Sequence, residues 1–427
     1  MSKNKLLLEI AERDVIIWGA RMTGLGALRF LRYNGKDALC FVDSDCSFKN
    51  ISVGGLPVYH PQNLDNVIKR NNWKPIILIA VALKEAEIVA ALSENKLKKY
   101  NYFSFQSEDA PYFTVDILGS CNLACASCPH SITDHEVPKG SMSFETVKSV
   151  IDKIKDDSPQ TSHISLYSWG EPLLHPKVAD IVSYIHDKGM AVALSSNLSL
   201  NFDQRIEKLI KVNPEYLKVS VSGFYPETYK RTHQGGDINL VKSNLYRLRH
   251  FLDKSKSNTL IDINYHLYRD NNGKNLKKFQ ELADELGFML STTYALVMPL
   301  ERVFRHLDGK PDFQTRFLED NLLVTIDEGI EISSQAISRN ETCPFRENQI
   351  NINADLTVPV CCTVFHRDGH LVSGNYLNSS IGQIEENKKK VDVCKRCMDS
   401  RLPEYNMGLN QKKWKEVAES KKSLDQY

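Results

Sequence analysis

The residues of this chain best suited to chemistry are its cysteines, of which the sequence contains ten. Three of them form one short run, Cys121-Asn-Leu-Ala-Cys125-Ala-Ser-Cys128, and five more lie in the last quarter of the chain. Thiols that cluster in this way in a reducing compartment are typical of metal or iron–sulfur ligands rather than of disulfides. The isolated Cys40 and Cys46 are instead predicted to be structural.

The first cysteine run predicts a [4Fe–4S] cluster with one open iron. Three thiolates bind three irons of a cubic cluster, so the fourth iron can bind a small molecule and pass an electron to it. Zinc is the alternative, and it needs a fourth nearby ligand, for which His130 and His135 are the candidates. Zinc ribbons usually carry paired C-x-x-C knuckles, whereas one gap here has three residues, which favours iron–sulfur.

The second cysteine set predicts a centre with four thiolates. After Cys343, we expect residues 350–362 to form a β-hairpin with a turn at 353–355. By spacing alone, structural zinc and an iron–sulfur cluster both fit this set. Cys362 is the alternative to Cys361, because adjacent strand residues face opposite sides. The residues assigned as ligands are Cys343, Cys361, Cys394 and Cys397.

Strands and helices alternate from Pro111 to about Leu300 at intervals that predict an open (β/α)6 partial barrel. Six β/α units are too few for a closed eightfold barrel. Amphipathic stretches such as Ser143–Lys155 and Asn275–Leu286 predict the intervening helices. The candidate strands are Phe113–Leu118, His163–Tyr167, Ala191–Ser196, Tyr216–Val221, Leu260–Leu267 and Phe288–Leu296.

The N-terminal region predicts a parallel α/β sheet of Rossmann type. Its candidate strands are Asp14–Trp18, Ala38–Val42, Ile76–Val81 and Tyr100–Phe105. Gly19 and Gly24 can let a phosphate approach a helix N-terminus, and Asp43 can bind a ribose, so a nucleotide or nucleotide-sugar is the expected ligand. The match is imperfect, because Arg21 stands where a second glycine is usual. A docking domain without a nucleotide site is the alternative.

Composition argues against nucleic-acid and membrane partners. Lys and Arg number 54 against 53 Asp and Glu, so the net charge is only +1, and no charge excess favours nucleic acid or an anionic membrane surface. There is no apolar segment of signal-peptide length at the N-terminus, and the run 75–83 is far shorter than the roughly 20 residues that span a bilayer. We therefore expect a cytoplasmic protein. Its expected parts are the Rossmann-like domain 1–110, the barrel 111–305, a connecting segment 306–342, a cluster domain 343–405 and a helical tail 406–427, of which 410–427 is expected to be a solvated helix.

The first cysteine run at the end of the first barrel strand resembles the signature of the radical S-adenosylmethionine (SAM) superfamily, and the resemblance covers about 112–296. It implies that SAM binds the open iron through its amine and carboxylate. Reductive cleavage would then give methionine and a 5′-deoxyadenosyl radical, which abstracts hydrogen from a substrate. By position, Gly170 and Glu171 would contact the methionine amine, and Ser196 and Asn197 the carboxylate or ribose.

Two departures accompany this resemblance. Ser127 stands where an aromatic residue is frequent, and Ser222 stands where many relatives carry an aspartate. The C-terminal module resembles the twitch form of the SPASM domain, which implies a second, auxiliary [4Fe–4S] cluster. The N-terminal module resembles Rossmann-like modules of bacterial surface-sugar enzymes.

Together these resemblances imply an oxidoreductase or epimerase that dehydrogenates, epimerises or rearranges a carbohydrate or nucleotide-sugar, with electrons from a flavodoxin or ferredoxin. A peptide-modifying maturase and a non-enzymatic, zinc-stabilised binding protein are the alternatives. His266, Glu301 and Arg231 are further candidate substrate contacts, with a core histidine and ordinary surface charges as the alternative interpretations.

Overall fold

Two mostly parallel sheets organise the chain. The computed structural model describes residues 3–48, 51–81, 85–94, 96–105, 111–131, 140–335, 343–365 and 369–421. The strands are β1 (Asp14–Trp18), β2 (Cys40–Val42), β3 (Ser52–Val53), β4 (Leu56–Tyr59), β5 (Pro75–Ile79), β6 (Asn101–Ser104), β7 (Tyr112–Val115), β8 (His163–Ser165), β9 (Ala191–Ser196), β10 (Tyr216–Val221), β11 (Leu260–Leu267), β12 (Met289–Tyr294), β13 (Gln349–Ile352), β14 (Val358–Pro359) and β15 (Leu371–Ser373).

The helices lie between these strands and, after β12, form most of the C-terminal region. They are α1 (Lys3–Glu9), α2 (Met22–Tyr33), α3 (Pro61–Asn71), α4 (Glu85–Glu94), α5 (Phe144–Asp157), α6 (Val178–Asp187), α7 (Gln204–Val212), α8 (Pro226–Thr232), α9 (Ile238–Ser255), α10 (Lys274–Leu286), α11 (Leu300–Leu307), α12 (Phe313–Asn321), α13 (Ile326–Ser334), α14 (Pro344–Glu347), α15 (Ile381–Lys388), α16 (Asp392–Asp399), α17 (Leu402–Met407) and α18 (Gln411–Ser420). None of the helices in the described ranges combines the length and apolar character needed to cross a bilayer.

The N-terminal sheet has the strand order β3-β4-β2-β1-β5-β6. Its pairings are parallel except for the antiparallel edge pair of β3 and β4. The central strand β1 is buried on both faces, with Val15 and Ile17 in one apolar cluster and Ile16 and Trp18 in another. This double burial explains why the strand reads as a continuous apolar run.

The central sheet contains the six predicted parallel strands, β7 to β12, in sequence order, and β13 joins it beside β7. The hairpin predicted over 350–362 is therefore wrong. Gln349–Ile352 pairs in parallel with β7, whereas Val358–Pro359 pairs with Leu371–Ser373. The turn itself is present, since the Asn353 N–H donates to the Thr357 carbonyl at 2.9 Å. The open edge of a partial barrel offers unpaired backbone groups, and β13 satisfies those of β7.

The N-terminal domain packs against the edge of the barrel at which the strands begin. Tyr216, Leu260 and Met289 of the barrel belong to the same apolar cluster as the inner face of the N-terminal sheet. Gly26 of α2 touches the barrel closely, because a Cβ there would lie 3.0 Å from the His163 Cβ. Arg29 adds an ion pair with Glu215 at 2.6 Å. The N-terminal domain therefore covers the end of the barrel at which the strands begin.

A helix was predicted for 410–427, and α18 lies there in the described residues to 421, but one side of it is packed instead of solvated. Trp414 of α18 is 1% exposed, and its indole N–H donates to the Leu409 carbonyl at 3.0 Å. Its ring stacks on Tyr294 at 5.8 Å between centroids. One buried tryptophan among lysines is a weak periodic signal, which is why the sequence pattern suggested a solvated helix.

Candidate active site

The first cysteine run lies in the loop that follows β7, at the edge where the parallel barrel strands end. The Cys128 N–H donates to the Cys125 carbonyl at 2.8 Å. The Ala124 and Ala126 N–H groups donate to the Gln234 and Thr232 carbonyls at 2.9 and 3.0 Å. The loop is thus pinned to the segment around the end of α8, with its backbone conformation held by hydrogen bonds.

The surroundings of these cysteines suit thiolates that bind a metal cluster. The Leu123 N–H and the Asn197 side-chain amide point at the Cys121 sulfur, at 3.4 and 3.6 Å, and such donors stabilise an anionic sulfur. Burial raises the pKa of Cys121 to about 11 and that of Cys128 to about 12. Only a positive partner would hold such buried thiols as thiolates at neutral pH, and cluster irons provide that charge.

Gly170 lets two backbone segments of the site approach closely. A Cβ at this position would lie 1.5 Å from the Leu118 carbonyl oxygen and 3.0 Å from the Asp116 Oδ1. The neighbouring Glu171 N–H donates to the Ser120 carbonyl at 3.0 Å. The segment after β8 therefore lies directly against the residues that lead into the cysteine run, and only glycine fits there.

Glu171 joins the ends of β8 and β9. Its side chain is buried, with one oxygen accepting the Leu173 N–H at 3.1 Å and the other the Asn197 N–H at 2.8 Å. The Ser196 hydroxyl in turn accepts the Leu198 N–H at 2.9 Å. Burial raises the pKa of Glu171 to about 7. The four residues for which a SAM role was predicted, Gly170, Glu171, Ser196 and Asn197, thus belong to one bonded cluster beside Cys121.

Two residues of this site were missed by sequence reasoning. Asp116 is buried, and its carboxylate accepts the Trp169 and Gly170 N–H groups, both at 3.3 Å; burial raises its pKa to about 7. Its position directly after the first barrel strand, in alternation with Thr114, could have pointed to it.

The other missed residue, Arg302, is 2% exposed and comes from α11. Its guanidinium donates to the Ala126 carbonyl at 2.8 Å, inside the cysteine run but 176 positions away in the chain. It also donates to the Thr315 hydroxyl at 3.0 Å. Arg302 therefore links the cysteine loop to α12 and places a positive charge beside Cys128. No local sequence pattern predicts this contact.

The second cysteine set comes together at the other edge of the barrel, beside the start of β13. Cys343 precedes α14, Cys361 follows β14, and Cys394 and Cys397 lie one turn apart on α16. Burial, together with the neighbouring thiols, raises the pKa of Cys343 to about 12. After burial, the Cys361 thiol is the neighbour that most raises the pKa of both Cys394 and Cys397.

Cys362 faces differently from Cys361. Besides burial, the Cys362 thiol is the group that most raises the pKa of Tyr112, a residue of the first barrel strand, and a hydrogen bond from the Gln349 side chain acts on Cys362 itself. Cys361 thus interacts with the other three assigned thiols, whereas Cys362 interacts with Cys361, Cys343 and Tyr112. This arrangement supports Cys361 as the ligand.

Neither cysteine set has the spacing of a preformed tetrahedral zinc site. With Zn–S bonds of ~2.3 Å, four sulfurs would lie about 3.8 Å apart. Within the described residues, only His306, Glu319 and Asp327 bring three ligand atoms within 4.8 Å of one another. His130 is also engaged, with its Nε2 2.9 Å from the Trp169 carbonyl, and His135 lies outside the described residues.

The residues predicted to bind a nucleotide lie together but are used within the N-terminal domain. The Asp43 carboxylate accepts the Ala20 and Asp45 N–H groups, both at 3.0 Å. A Cβ on Gly24 would lie 1.8 Å from the Gly19 carbonyl oxygen, so glycine is needed for this turn. Arg21, at the start of α2, reaches Asp262 of the barrel at 3.6 Å. The helix end expected to face a phosphate therefore faces the barrel, and the nucleotide site stays a prediction.

A groove of about 1040 Å³ lies between this domain and the barrel and is lined by residues such as Asp45, Arg249 and Asn258. Among the additional candidates, the Glu301 carboxylate accepts the Phe365 N–H at 2.9 Å, and Arg231 forms an ion pair with Asp270. The departure at Ser222 has a local partner, because its hydroxyl lies 2.7 Å from the His233 Nδ1.

Comparison with known proteins identifies the central region. Residues 115–266 match the family described as the Radical SAM superfamily, so the chain carries a radical SAM domain. The AdoMet-dependent heme synthase of Methanosarcina barkeri is 30% identical over 183 residues, which is 43% of this chain and 49% of that protein. A probable GTP 3′,8-cyclase of Methanococcus maripaludis is 24% identical over 200 residues, 47% of this chain and 64% of that protein.

The chain thus spans about half of the length of the heme synthase and less than two thirds of the length of the cyclase. Among solved structures, native anSMEcpe with bound AdoMet aligns with a TM-score of 0.45 and 16% identity, over 72% of this chain and 97% of that one. The radical SAM family implies a [4Fe–4S] cluster and SAM, and the residues around Cys121, Cys125 and Cys128 fit both.

Proposed function

We propose that this chain reductively cleaves SAM and uses the resulting 5′-deoxyadenosyl radical to abstract hydrogen from a carbohydrate or nucleotide-sugar. The proposal rests above all on the cysteine loop at the strand-end edge, where Asn197 lies against Cys121 and Gly170 against Leu118. A [4Fe–4S] cluster held by Cys121, Cys125 and Cys128 would supply the electron for cleavage. The surrounding backbone would bind SAM and exclude water from it.

Each residue of the loop has a task in this proposal. Asn197 and the Leu123 N–H stabilise the Cys121 sulfur, and Arg302 balances negative charge beside Cys128. Glu171 fixes the backbone of Asn197 and retains free lone pairs that can accept from the SAM ammonium. Ser196 and Asn197 are proposed to contact the carboxylate or ribose of SAM.

The second cysteine set is proposed to hold an auxiliary [4Fe–4S] cluster on Cys343, Cys361, Cys394 and Cys397. Its position at the opposite edge of the barrel would let it accept an electron from a substrate radical in the barrel. A cytoplasmic flavodoxin or ferredoxin is the proposed donor to the first cluster. The sugar substrate rests on the N-terminal module, through its likeness to surface-sugar enzymes.

The experiment uses anaerobically purified protein and its Cys125→Ala variant, with Cys40→Ala as the matched control because Cys40 is buried away from both sets. We expect brown wild-type protein that releases 5′-deoxyadenosine from SAM with dithionite, and loss of that release in Cys125→Ala only. A panel of deuterated nucleotide-sugars should transfer deuterium into 5′-deoxyadenosine. A colourless protein with two bound zinc ions would refute cleavage, and release unaffected by any sugar would refute the substrate class.

A further inference from the structure

We propose that the barrel interior contains an anion subsite, in which the ammonium of Lys218 binds a carboxylate or phosphate of the substrate. This inference rests on the proposed function and names the charged group that the substrate presents. Lys218 is the third residue of β10, where inward and outward residues alternate. Leu217, Val219 and Val221 are buried in the core outside the barrel, whereas Lys218 and Ser220 on the inner row are only half-buried.

The acid closest to Lys218 in the sheet is already committed to other partners. Asp262 is the residue paired with Lys218 in the parallel register. Its carboxylate accepts the Tyr216 hydroxyl at 2.5 Å and the Ser291 hydroxyl at 2.6 Å. Arg21 reaches the same carboxylate from the N-terminal domain at 3.6 Å, although its closer partner is Asp45 at 2.5 Å. The N-terminal domain therefore places a cation beside Asp262 that Asp262 shares with Asp45.

The Lys218 ammonium lies 5.1 Å from the centre of the Tyr167 ring. Across the part of the chain that the structure describes, no hydrogen bond or ion pair engages this ammonium. A cation that is partly withdrawn from water without a counter-charge is unfavourable. An anionic ligand group would provide that counter-charge. The Tyr167 ring attracts the Lys218 ammonium and so helps to hold it in position.

Polar, uncharged side chains of the neighbouring strands β11 and β12 could form hydrogen bonds with a hydroxylated ligand. The His266 Nε2 lies 3.0 Å from the Asn264 side-chain oxygen, and the Asn264 amide donates to the Thr293 hydroxyl at 2.9 Å. Burial, and then the charge of Lys218, lowers the pKa of His266 to about 4, so this imidazole is neutral at pH 7. Lys218 thus supplies the positive charge of this row, while its neighbours offer hydrogen bonds.

The same inner row of β10 leads directly to the cysteine loop. Ser222 follows Lys218 on this row, and its hydroxyl bonds to Thr232. The Thr232 carbonyl accepts the Ala126 N–H of the cysteine loop at 3.0 Å. A substrate held by its anion at Lys218 would therefore extend its neutral, hydroxylated part toward the radical source.

The test measures binding of three probes by calorimetry to the anaerobically purified protein: glucose, glucuronate and glucose 1-phosphate. The last two add a carboxylate and a phosphate to a neutral ring, so the tighter one identifies the anion. The variants are Lys218→Met, Lys218→Arg and Lys211→Met, the last a matched control because Lys211 is exposed on α7. We expect at least one charged probe to bind about tenfold more tightly than glucose, which corresponds to about 1.4 kcal/mol.

This preference should disappear in Lys218→Met, persist largely in Lys218→Arg and remain unchanged in Lys211→Met. Equal binding of charged and neutral probes, no binding of either charged probe at millimolar concentration, or an unaltered preference in Lys218→Met would overturn the proposal. Release of 5′-deoxyadenosine by the wild type is recorded on the same preparation. Failure of that release counts against the proposed function alone, because the probe binding does not depend on it.

Discussion

Gly170 shows how a single missing side chain shapes the candidate site. Replacing it by alanine puts a methyl group 1.5 Å from the Leu118 carbonyl oxygen, so the segment after β8 must move away from the cysteine loop. Overpacking of this kind costs about 1–3 kcal/mol. We expect Gly170→Ala to unfold at a lower temperature and to lose SAM binding in equilibrium dialysis.

The matched control for this change is Gly382→Ala, since Gly382 lies in α15 and a Cβ there meets no atom within 4 Å. Alanine in that helix should be neutral or slightly stabilising. If Gly170→Ala binds SAM as the control does, then the close contact with Leu118 has no part in forming the site.

The two adjacent cysteines of the second set make a second prediction at this scale. Cys361 interacts with the three other assigned thiols, whereas Cys362 interacts with Tyr112 of the barrel as well as with Cys343. We therefore expect Cys361→Ala to lose the auxiliary cluster and Cys362→Ala to keep it. Iron and sulfide content per chain, measured after anaerobic reconstitution, distinguishes the two. Equal loss in both variants, or loss in Cys362→Ala alone, would reverse the assignment.

At the scale of elements, the strands that the sequence predicts best are those buried by the barrel. The bounds of β9, β10 and β11 agree with the prediction, because apolar residues recur along strands packed against helices. The partner of β13 was not predictable, since the Gln349 side chain meets Thr114 across 235 positions of sequence. The cysteine ligands have a local spacing that can be read directly. Asp116 and Arg302 join the site only through long-range packing.

The helix α18 yields a prediction at the same scale. Trp414 is the largest fully buried side chain of the C-terminal tail, and it packs between Tyr294 of the edge strand β12 and Tyr405 of α17. Truncating a buried tryptophan to alanine costs about 3–5 kcal/mol. We expect Trp414→Ala to lower the free energy of unfolding in urea by that amount. Lys415→Ala, on the exposed side of the same helix, should change it little; a solvated tail would give two similar, small effects.

At the scale of the whole molecule, the N-terminal domain and the barrel share polar contacts as well as an apolar interface. Arg21 reaches Asp262, the residue paired with Lys218 in the sheet, and Arg29 pairs with Glu215 just before β10. Glu215 also accepts the Val192 N–H at 2.8 Å and lies 3.0 Å from the His186 Nε2. The domain that resembles a nucleotide-binding module thus helps to set the charges of the barrel instead of presenting its helix end to solvent.

This interface predicts a specific pH dependence of stability. Burial acts to raise the pKa of Glu215, but His186, Arg29 and the Val192 N–H outweigh it and hold the pKa below its usual value. A carboxyl group whose folded pKa is lowered stabilises the folded state above its unfolded pKa of about 4.3, and this contribution is lost as the pH falls through the folded pKa. Hydrogen bonds to a charged group of this kind contribute about 1.5–3 kcal/mol.

We therefore expect Glu215→Gln to lower the free energy of unfolding at pH 7 and to flatten its decline on acidification below about pH 4.3. The measurement is urea unfolding of both proteins across that pH range. Glu227→Gln serves as the matched control, because Glu227 is exposed on α8 and should leave the profile of the wild type unchanged. Parallel pH profiles for wild type and Glu215→Gln would mean that this carboxylate does not fasten the two domains, and the apolar contacts of Leu260 and Met289 would then account for their association.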